Sequence, residues 1–269
     1  MCRLYEVTRA GYYAWRTREP SARSEENQRL LRRIERVHAQ SRETYGSPRI
    51  QRALCYQGVR VGRNRVARLM RKHRIRARAS RIYRPNPGVH RFFEAIPKQH
   101  LKALSVRPNA VWVGDITYLK LGESWRYLAT VMDRCTRRVI GWSLGHKKNV
   151  KLTLQALGRA VHQCRPRAGL IFHSDRGTEY AGYVYRDRLA ELGIVQSMNE
   201  RMNDNAYMES FYHSMKSEVI HGEKIEEERQ LHEVIRKYIR FYNERRLHSS
   251  IGYMAPAVYE QRISLRGVN

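Results

Sequence analysis

Three acidic residues stand far apart in the 269-residue sequence, each in a context that could bring it to a shared site. Asp115 and Asp175 each follow an apolar run rich in β-branched residues, which is typical of the end of a buried strand. Glu209 lies in a segment of helical periodicity. Fifty-nine residues separate the first two acids, and thirty-three separate the second from the third. Carboxylates at two adjacent strand ends, facing a third on a helix, would suit hard cations such as Mg²⁺ or Mn²⁺.

Two such cations can activate a nucleophile and stabilise a leaving oxygen at phosphorus, so this pattern indicates phosphoryl-transfer chemistry. Nearby acids have plainer explanations. Asp133 is interpreted as a hairpin-turn residue and Asp204 as a helix cap. Glu218 is excluded as the third acid because it lies off the helical face of Glu209. Hard cations prefer oxygen ligands, so two histidines are interpreted as orienting or packing groups, namely His173 and His248.

The charge of the chain indicates a polyanionic partner. Fifty-two Lys and Arg residues against twenty-five Asp and Glu give a formal charge of +27, and nucleic acid is the commonest partner of such a field. A basic protein of ribosomal type is the alternative. The four cysteines show no paired spacing, which argues against a zinc site or a disulfide framework. With no apolar run of signal-peptide or membrane-span length, we expect a cytoplasmic protein.

The N-terminal part carries a helix-turn-helix pattern. Ser47 is positioned to cap a helix with Pro48 in its first turn, and this helix ends at Gly58. A second helix follows a short turn, and its outer face is basic through Arg63, Arg65, Arg68, Arg71 and Lys72. This pattern predicts DNA binding. The alternative, a basic helical hairpin that touches only phosphates, stays open, because sequence does not separate base contacts from phosphate contacts.

Beyond this helical part the periodicity changes to that of an α/β domain. Three strands are followed by helix, strand, helix, strand and helix, which predicts a mixed five-stranded sheet flanked by helices, in the order of the ribonuclease-H-like fold. We therefore expect an all-α helix-turn-helix domain at residues 1–80, a basic linker at 81–105, a catalytic core at 106–222, and a C-terminal helical extension of the core at 223–269.

At this point the residues resemble a known family. The sequence is similar to the second-frame product of insertion-sequence transposases of the IS-three family, whose catalytic core is similar to retroviral integrase. The similarity in the core is carried by residues 112–118, 173–177, 204–211, 242–248 and 252–256. Residues 45–50 resemble the upstream helix-turn-helix of the family. The order and spacing of these motifs make the match specific over nearly the whole chain.

The resemblance implies roles for individual residues. Asp115, Asp175 and Glu209 would form the acidic triad and hold two Mg²⁺ or Mn²⁺ ions, the first ion between the two aspartates and the second between Asp115 and Glu209. Lys216, two helical turns after Glu209, resembles the basic residue that faces the DNA end. We also expect DNA contacts from Asn205 and Arg246.

The resemblance further implies DNA transposition, which is strand cleavage at the element end followed by strand transfer. The expected partners are double-stranded DNA ends, target DNA, further copies of the chain, and an upstream-frame protein or fusion. A nuclease of the same fold and a catalytically impaired DNA-binding regulator are the alternatives.

The sequence departs from the family pattern at two places. The family usually has thirty-five residues between the second and third acids where this chain has thirty-three, and the shortfall lies within residues 198–203. Glu179 stands where the family commonly has Gln, which adds a negative charge near the triad.

Overall fold

A computed structural model of the chain describes residues 7–17, 19, 21–78, 107–175, 177–198, 205–221 and 223–266. The chain divides into two compact units, residues 1–77 and residues 78–269. The predicted linker at residues 81–105 lies outside the described residues, as do Asp204 and most of the shortened segment before it. None of the described helices is both long and apolar enough to cross a membrane.

The first unit is helical. Its described helices are α1 (Arg9–Thr17), α2 (Ala22–Gln40), α3 (Ser47–Tyr56) and α4 (Arg63–Lys72). At the start of α3 the cap position belongs to Gly46, which is extended at φ −84° and ψ 176°, while Ser47 is already helical. The predicted cap at Ser47 is therefore wrong by one residue, although Pro48 lies in the first turn as expected.

Helices α2, α3 and α4 pack through the apolar positions that the sequence places at helical spacing. The side chains in this core are buried, and they are Leu30, Ile34, Val37, Ile50, Leu54, Val66, Leu69 and Met70. Burial of one face leaves the basic positions of α4 on the other, which is the amphipathic division that a surface helix requires.

The second unit is built on a five-stranded sheet in the order β3-β2-β1-β4-β5. The strands are β1 (Val111–Leu121), β2 (Ser124–Asp133), β3 (Val139–Gly145), β4 (Ile171–Ser174) and β5 (Val195–Met198). The first three form an antiparallel meander, and β4 and β5 extend it in parallel. Asp133 accepts hydrogen bonds from Thr136 in the β2–β3 turn and from Asn109, which precedes β1. The turn contact is the structural role predicted for Asp133.

Helices flank this sheet on its faces. They are α5 (Val150–Cys164), α6 (Thr178–Ala181), α7 (Tyr183–Glu191), α8 (Ala206–Met215), α9 (Glu228–Glu244) and α10 (Pro256–Arg266). The sequence predicts one helix from residue 205 to residue 220, but its last turn is π-helical, from Lys216 to Ile220. Side-chain periodicity does not reveal such a turn, because tertiary contacts at single residues stabilise it.

Helix α5 lies very close to β3. A Cβ at Gly141 would collide with the carbonyl oxygen of Ala156, so only glycine permits this approach. Trp112 and Phe172 are fully buried in the same cluster as Ala156 and Leu157 of α5. This core fixes β1 and β4 side by side, and both predicted aspartates belong to these two strands or their ends.

Candidate active site

Asp115 and Asp175 are brought together by the parallel pairing of β1 and β4. The register pairs Val111 with Ile171 and Val113 with His173. Continued by two residues, the same offset of sixty places Asp175 beside Asp115. Strand β4 ends at Ser174, so Asp175 is the first residue past it. The two carboxylates therefore lie on adjacent strands as predicted, but the expected strand-end position is wrong for Asp115, because β1 continues to Leu121.

The close approach of β4 to this point depends on Gly114. A Cβ at this position would overlap the ring of Phe172, which lies over the β1 backbone. The absence of a side chain at Gly114 lets the aromatic core extend up to the residue before Asp115. One face of the strand end is thereby closed by a ring rather than by water.

Glu209 is placed by two hydrogen bonds from its own helical segment to β1. The side-chain amide of Asn205 donates to the carbonyl oxygen of Gly114 at 3.1 Å. The hydroxyl of Tyr212 donates to the backbone carbonyl oxygen of Asp115 at 2.6 Å. Residues four before and three after Glu209 share its helical face. The face that carries Glu209 therefore lies on the strand segment that carries Asp115.

The pKa of Asp115 reflects its burial near the other two acids. Burial, together with the carboxylates of Asp175 and Glu209, raises the pKa of Asp115 to about 7, while the Ile116 N–H and the Lys148 ammonium act in the opposite direction. The backbone N–H of Ile116 donates to Oδ1 of Asp115 at 2.7 Å. Burial also raises the pKa of Glu209. The three acids thus repel one another in a partly desolvated place.

The donor set fits a hard divalent cation. All three groups are carboxylates, the ligands that Mg²⁺ and Mn²⁺ prefer, and their mutual repulsion is what a bound cation would relieve. Within the described ranges, no group of three or more His, Cys, Asp or Glu side chains is gathered closely enough to hold a metal ion. The carboxylates therefore converge without forming a closed coordination shell.

Two lysines lie close to the acids. Lys216, which the sequence places on the face of Glu209, is half buried, and its ammonium interacts electrostatically with Asp115. Lys148 is a residue that the sequence did not single out, since it precedes α5 far from every motif. Its Nζ lies 3.4 Å from Oε2 of the buried Glu179. The added acid at position 179 therefore comes with its own cation.

Two of the predicted DNA contacts are inside the protein. Arg246 is 3 % exposed, and its guanidinium contacts the Glu218 carboxylate at 2.6 Å and Ser214 at 3.1 Å. Asn205 is also buried and donates to Gly114. Side chains enclosed in this way do not reach a phosphate or a base edge, so both are corrected to structural roles. Tyr212 was missed, although its spacing of three residues from Glu209 could have indicated it.

The two histidines contact polar groups of the protein. Nδ1 of His173 lies 2.9 Å from the Ser197 hydroxyl, and Nε2 of His248 lies 3.4 Å from the Arg246 guanidinium. These contacts fit the orienting and packing roles expected for them.

On α4, the predicted basic positions separate into two kinds. The side chains of Arg63, Arg68, Arg71 and Lys72 are exposed. Arg65 instead faces α2, where it binds Glu26 at 2.8 Å and Asn27 at 3.0 Å. Four of the five positions therefore present cations outward, and the fifth joins two helices of the unit.

Comparisons with known proteins agree with this architecture. Residues 105–203 match the integrase core domain, residues 193–256 match a second integrase core domain model, and residues 25–83 match an HTH-like domain. In a solved simian T-cell lymphotropic virus intasome bound to the PP2A regulatory subunit B56 gamma, one chain is similar with a TM-score of 0.51 at 14 % identity, over 84 % of this chain and 74 % of that one. This likeness concerns the fold alone.

An integrase core that follows an HTH-like domain defines a class of DNA-acting enzymes, the transposases and integrases, which transfer phosphoryl groups on DNA. The chain is 38 % identical over 266 residues to the insertion element IS600 uncharacterized 31 kDa protein of Shigella sonnei, covering 97 % of this chain and 98 % of that relative. It is 34 % identical over 270 residues to transposase InsF for insertion sequence IS3A of Escherichia coli, covering 97 % and 93 %. The chain belongs to the IS3 family of insertion-sequence transposases.

The predicted family, fold class and class of activity are thus confirmed. Integrase cores depend on divalent metal ions, so the prediction of a divalent cation as cofactor is confirmed.

Proposed function

We propose that Asp115, Asp175 and Glu209 are the catalytic acids with which this transposase cuts and joins DNA strands. The observation that carries the proposal is the convergence of three carboxylates from β1, the end of β4 and α8. Burial, with the charges of the other two acids added to it, raises the pKa of Asp115 to about 7. Burying like charges together is costly, and functional sites are where such an arrangement is retained.

In this proposal the three acids hold two divalent cations, Mg²⁺ or Mn²⁺, with Asp115 shared between them. When bound, the ions would activate the attacking oxygen and stabilise the leaving oxygen. Asp115 is held for this by the Ile116 N–H and by the Tyr212 hydrogen bond to its carbonyl. Lys216 lies where it would pair with a DNA phosphate beside the acids.

The proposed reaction has two phosphoryl transfers and no covalent protein intermediate. Water first displaces one oxygen of a phosphodiester at the element end, which breaks the strand and leaves a 3′-hydroxyl. That hydroxyl then displaces an oxygen of a second phosphodiester and joins the two strands. The chain positions the DNA for both steps, and in each step the proton of the attacking oxygen ends, through solvent, on the leaving oxygen.

The exposed cations of α4 are proposed to bind the DNA duplex, since exposed Arg and Lys side chains neutralise backbone phosphates. Joining two DNA ends requires two active sites, so we propose that the chain acts in the cytoplasm as a homo-oligomer. An upstream-frame protein, separate or fused, is the further partner that we propose.

The test is incubation of the purified chain with plasmid DNA and Mg²⁺ or Mn²⁺, beside Asp175→Asn. Loss of one ligand charge should lower nicking and joining by about 10³-fold or more while DNA binding is retained. Asp187→Asn, at an exposed position of α7, is the matched control and should cut at the rate of the unaltered chain. If the Asp175→Asn variant joined strands at the normal rate, the assignment of the triad would be wrong.

A further inference from the structure

A cleft of about 570 Å³ lies at the free end of the β1–β2 hairpin. One wall is formed by Tyr118, Lys120 and Trp125 of the hairpin. The opposite wall comes from the π-helical turn and the segment after it, which contribute Lys216 and Lys224. No step of the proposed reaction uses the hairpin side chains.

The hairpin presents two large aromatic side chains to solvent. Tyr118 is 60 % exposed and Trp125 is 48 % exposed. Their rings meet edge to face, with centroids 5.3 Å apart. The strand register pairs Lys120 directly with Trp125, and burial alternates along β1, so Tyr118, Lys120 and Trp125 share the exposed face. Ring contact within the hairpin leaves about half of both side chains open to solvent.

The cleft is also basic and adjoins the acids. Nζ of Lys216 lies 4.6 Å from the centroid of the Tyr118 ring, a cation–π contact. The same lysine interacts with Asp115. Along β1, three residues from Asp115 to Tyr118 span roughly 10 Å. Side chains alternate along the strand, so Asp115 and Tyr118 project from opposite faces of β1, and Lys216 is the residue that interacts with both.

Two acids, Glu223 and Glu226, also line the cleft. Glu223 is paired with Arg78, so its charge is neutralised within the chain. Lys120 lies 4.0 Å from Glu123, so Lys216 and Lys224 face one further carboxylate, which leaves a net positive lining. Lysine is depleted at the centre of protein–protein interfaces, whereas exposed aromatic rings among cations are the elements of a single-stranded nucleic-acid site.

We infer that this cleft binds an unpaired nucleotide of the DNA substrate, with its base stacked on Trp125 and Tyr118 and its phosphate on Lys120 and Lys216. The volume accommodates one or two nucleotides and not a double helix. This inference rests on the proposed function only in taking DNA as the substrate, and it deepens that function by adding a site for a frayed or single-stranded end beside the reacting bond.

The first experiment locates the base. The full chain is mixed with a duplex that carries a four-nucleotide single-stranded overhang containing 5-iododeoxyuridine, irradiated, and mapped by mass spectrometry. Crosslinks should form at Tyr118 or Trp125. Crosslinks elsewhere, for example on the exposed Tyr13 and Trp15 of α1, or no crosslink at all, would overturn the inference.

The second experiment measures preference for the overhang over a blunt duplex. Trp125→Leu should weaken overhang binding about 5- to 100-fold, the range for one stacked base, and leave blunt-duplex binding unchanged. Tyr118→Phe retains the ring and should retain the preference. Tyr183→Leu, at an aromatic side chain that is 81 % exposed outside the cleft, is the matched control and should have no effect.

Equal weakening of both duplexes by Trp125→Leu, or no weakening, contradicts the inference. If Trp125→Leu altered the oligomeric state and left the overhang preference intact, the inference would also be contradicted. The cleft would then be an interface with a second copy of the chain. Neither readout needs strand cleavage. A chain that binds overhangs through Trp125 but cuts no DNA would support the inference and contradict the proposed catalysis.

Discussion

Two glutamates nine residues apart on the same helical segment have opposite surroundings. Glu218, in the π-helical turn, is enclosed with Arg246 at 2.6 Å and accepts a hydrogen bond from the Tyr238 hydroxyl at 3.0 Å. Glu209 faces Asp115. In the described part of the chain, neither Glu209 nor Asp115 forms an ion pair. Glu218 is buried with its cation, whereas Glu209 is half-buried and faces further acids.

The difference separates an acid that serves folding from acids that serve chemistry. Burial alone would lower the pKa of Arg246, but Tyr238 and Glu218 raise that pKa above its ordinary value, so Arg246 is charged when folded. The pair ties α9 and the chain after it to the turn that carries Lys216. The triad instead destabilises the folded state, because Asp115 is buried near two further carboxylates. The fold tolerates this cost because its stability comes from the hydrophobic core.

The largest effect on folding should come from Glu218→Gln. This change leaves the buried Arg246 guanidinium without its counter-charge, and breaking a buried pair from one side costs about 3–5 kcal/mol. The free energy of unfolding, measured with urea, should fall by that amount. Lys216 would also lose the turn that positions it, so strand cleavage by the remaining folded protein should fall.

The control for this comparison is Glu233→Gln, which breaks an exposed pair with Arg236. Solvent screens an exposed pair of this kind, so its loss should be near the limit of measurement. If the two variants lost equal stability, the distinction between a folding acid and a surface acid would fail.

In the presence of a chelator, Asp115→Asn should raise the free energy of unfolding, whereas Glu218→Gln lowers it. Because the folded-state pKa of Asp115 is raised from 3.8 to about 7, the folded state is penalised as pH rises through this window. At pH 8 the variant should therefore be more stable than the unaltered chain by on the order of 2 kcal/mol. Near pH 4 most of the difference should be lost, because Asp115 is then protonated in the folded state and partly protonated in the unfolded state.

Urea unfolding at pH 4 and pH 8 with EDTA measures this difference. Mg²⁺ at pH 8 should stabilise the unaltered chain and narrow the gap. A variant that is less stable than the unaltered chain at pH 8 would show that Asp115 is a structural acid like Glu218.

The contrast also shows where sequence reasoning succeeds. The apolar runs before Asp115 and Asp175 correctly predict the strands that carry the two acids, because strand burial and the side-chain period are local properties. Only Asp175 follows the end of its strand, because β1 continues past Asp115 to Leu121. Helical spacing likewise gives the face shared by Glu209 and Lys216. The sheet order then follows from the sequence of elements and from the family resemblance.

What the sequence missed depends on tertiary burial. Arg246 and Asn205 have side chains that suit DNA or the protein interior equally well, and only the packed structure assigns them to Glu218 and Gly114. Lys148 approaches Glu179 from a loop thirty-one positions away. No local pattern encodes such a pairing.

The smallest predicted effect extends the comparison of paired and unpaired charges to the basic helix α4. Arg68 is exposed, whereas Arg65 is held by Glu26 and Asn27. If exposed cations of α4 bind phosphates, Arg68→Ala should reduce the slope of log K against log salt concentration for duplex DNA by about 0.9, the value for one phosphate contact. Arg65→Ala should leave the slope unchanged, because that guanidinium is already engaged within the protein.

Fluorescence anisotropy of a labelled duplex over a range of salt concentrations measures both slopes. A reduced slope for Arg65→Ala together with an unchanged slope for Arg68→Ala would place the DNA on the face of α4 that packs against α2. Equal reductions would mean that DNA displaces Glu26 from Arg65. An acid that pairs with a cation in the free protein would then act as a competitor of the DNA, which is a role that neither Glu218 nor the triad has.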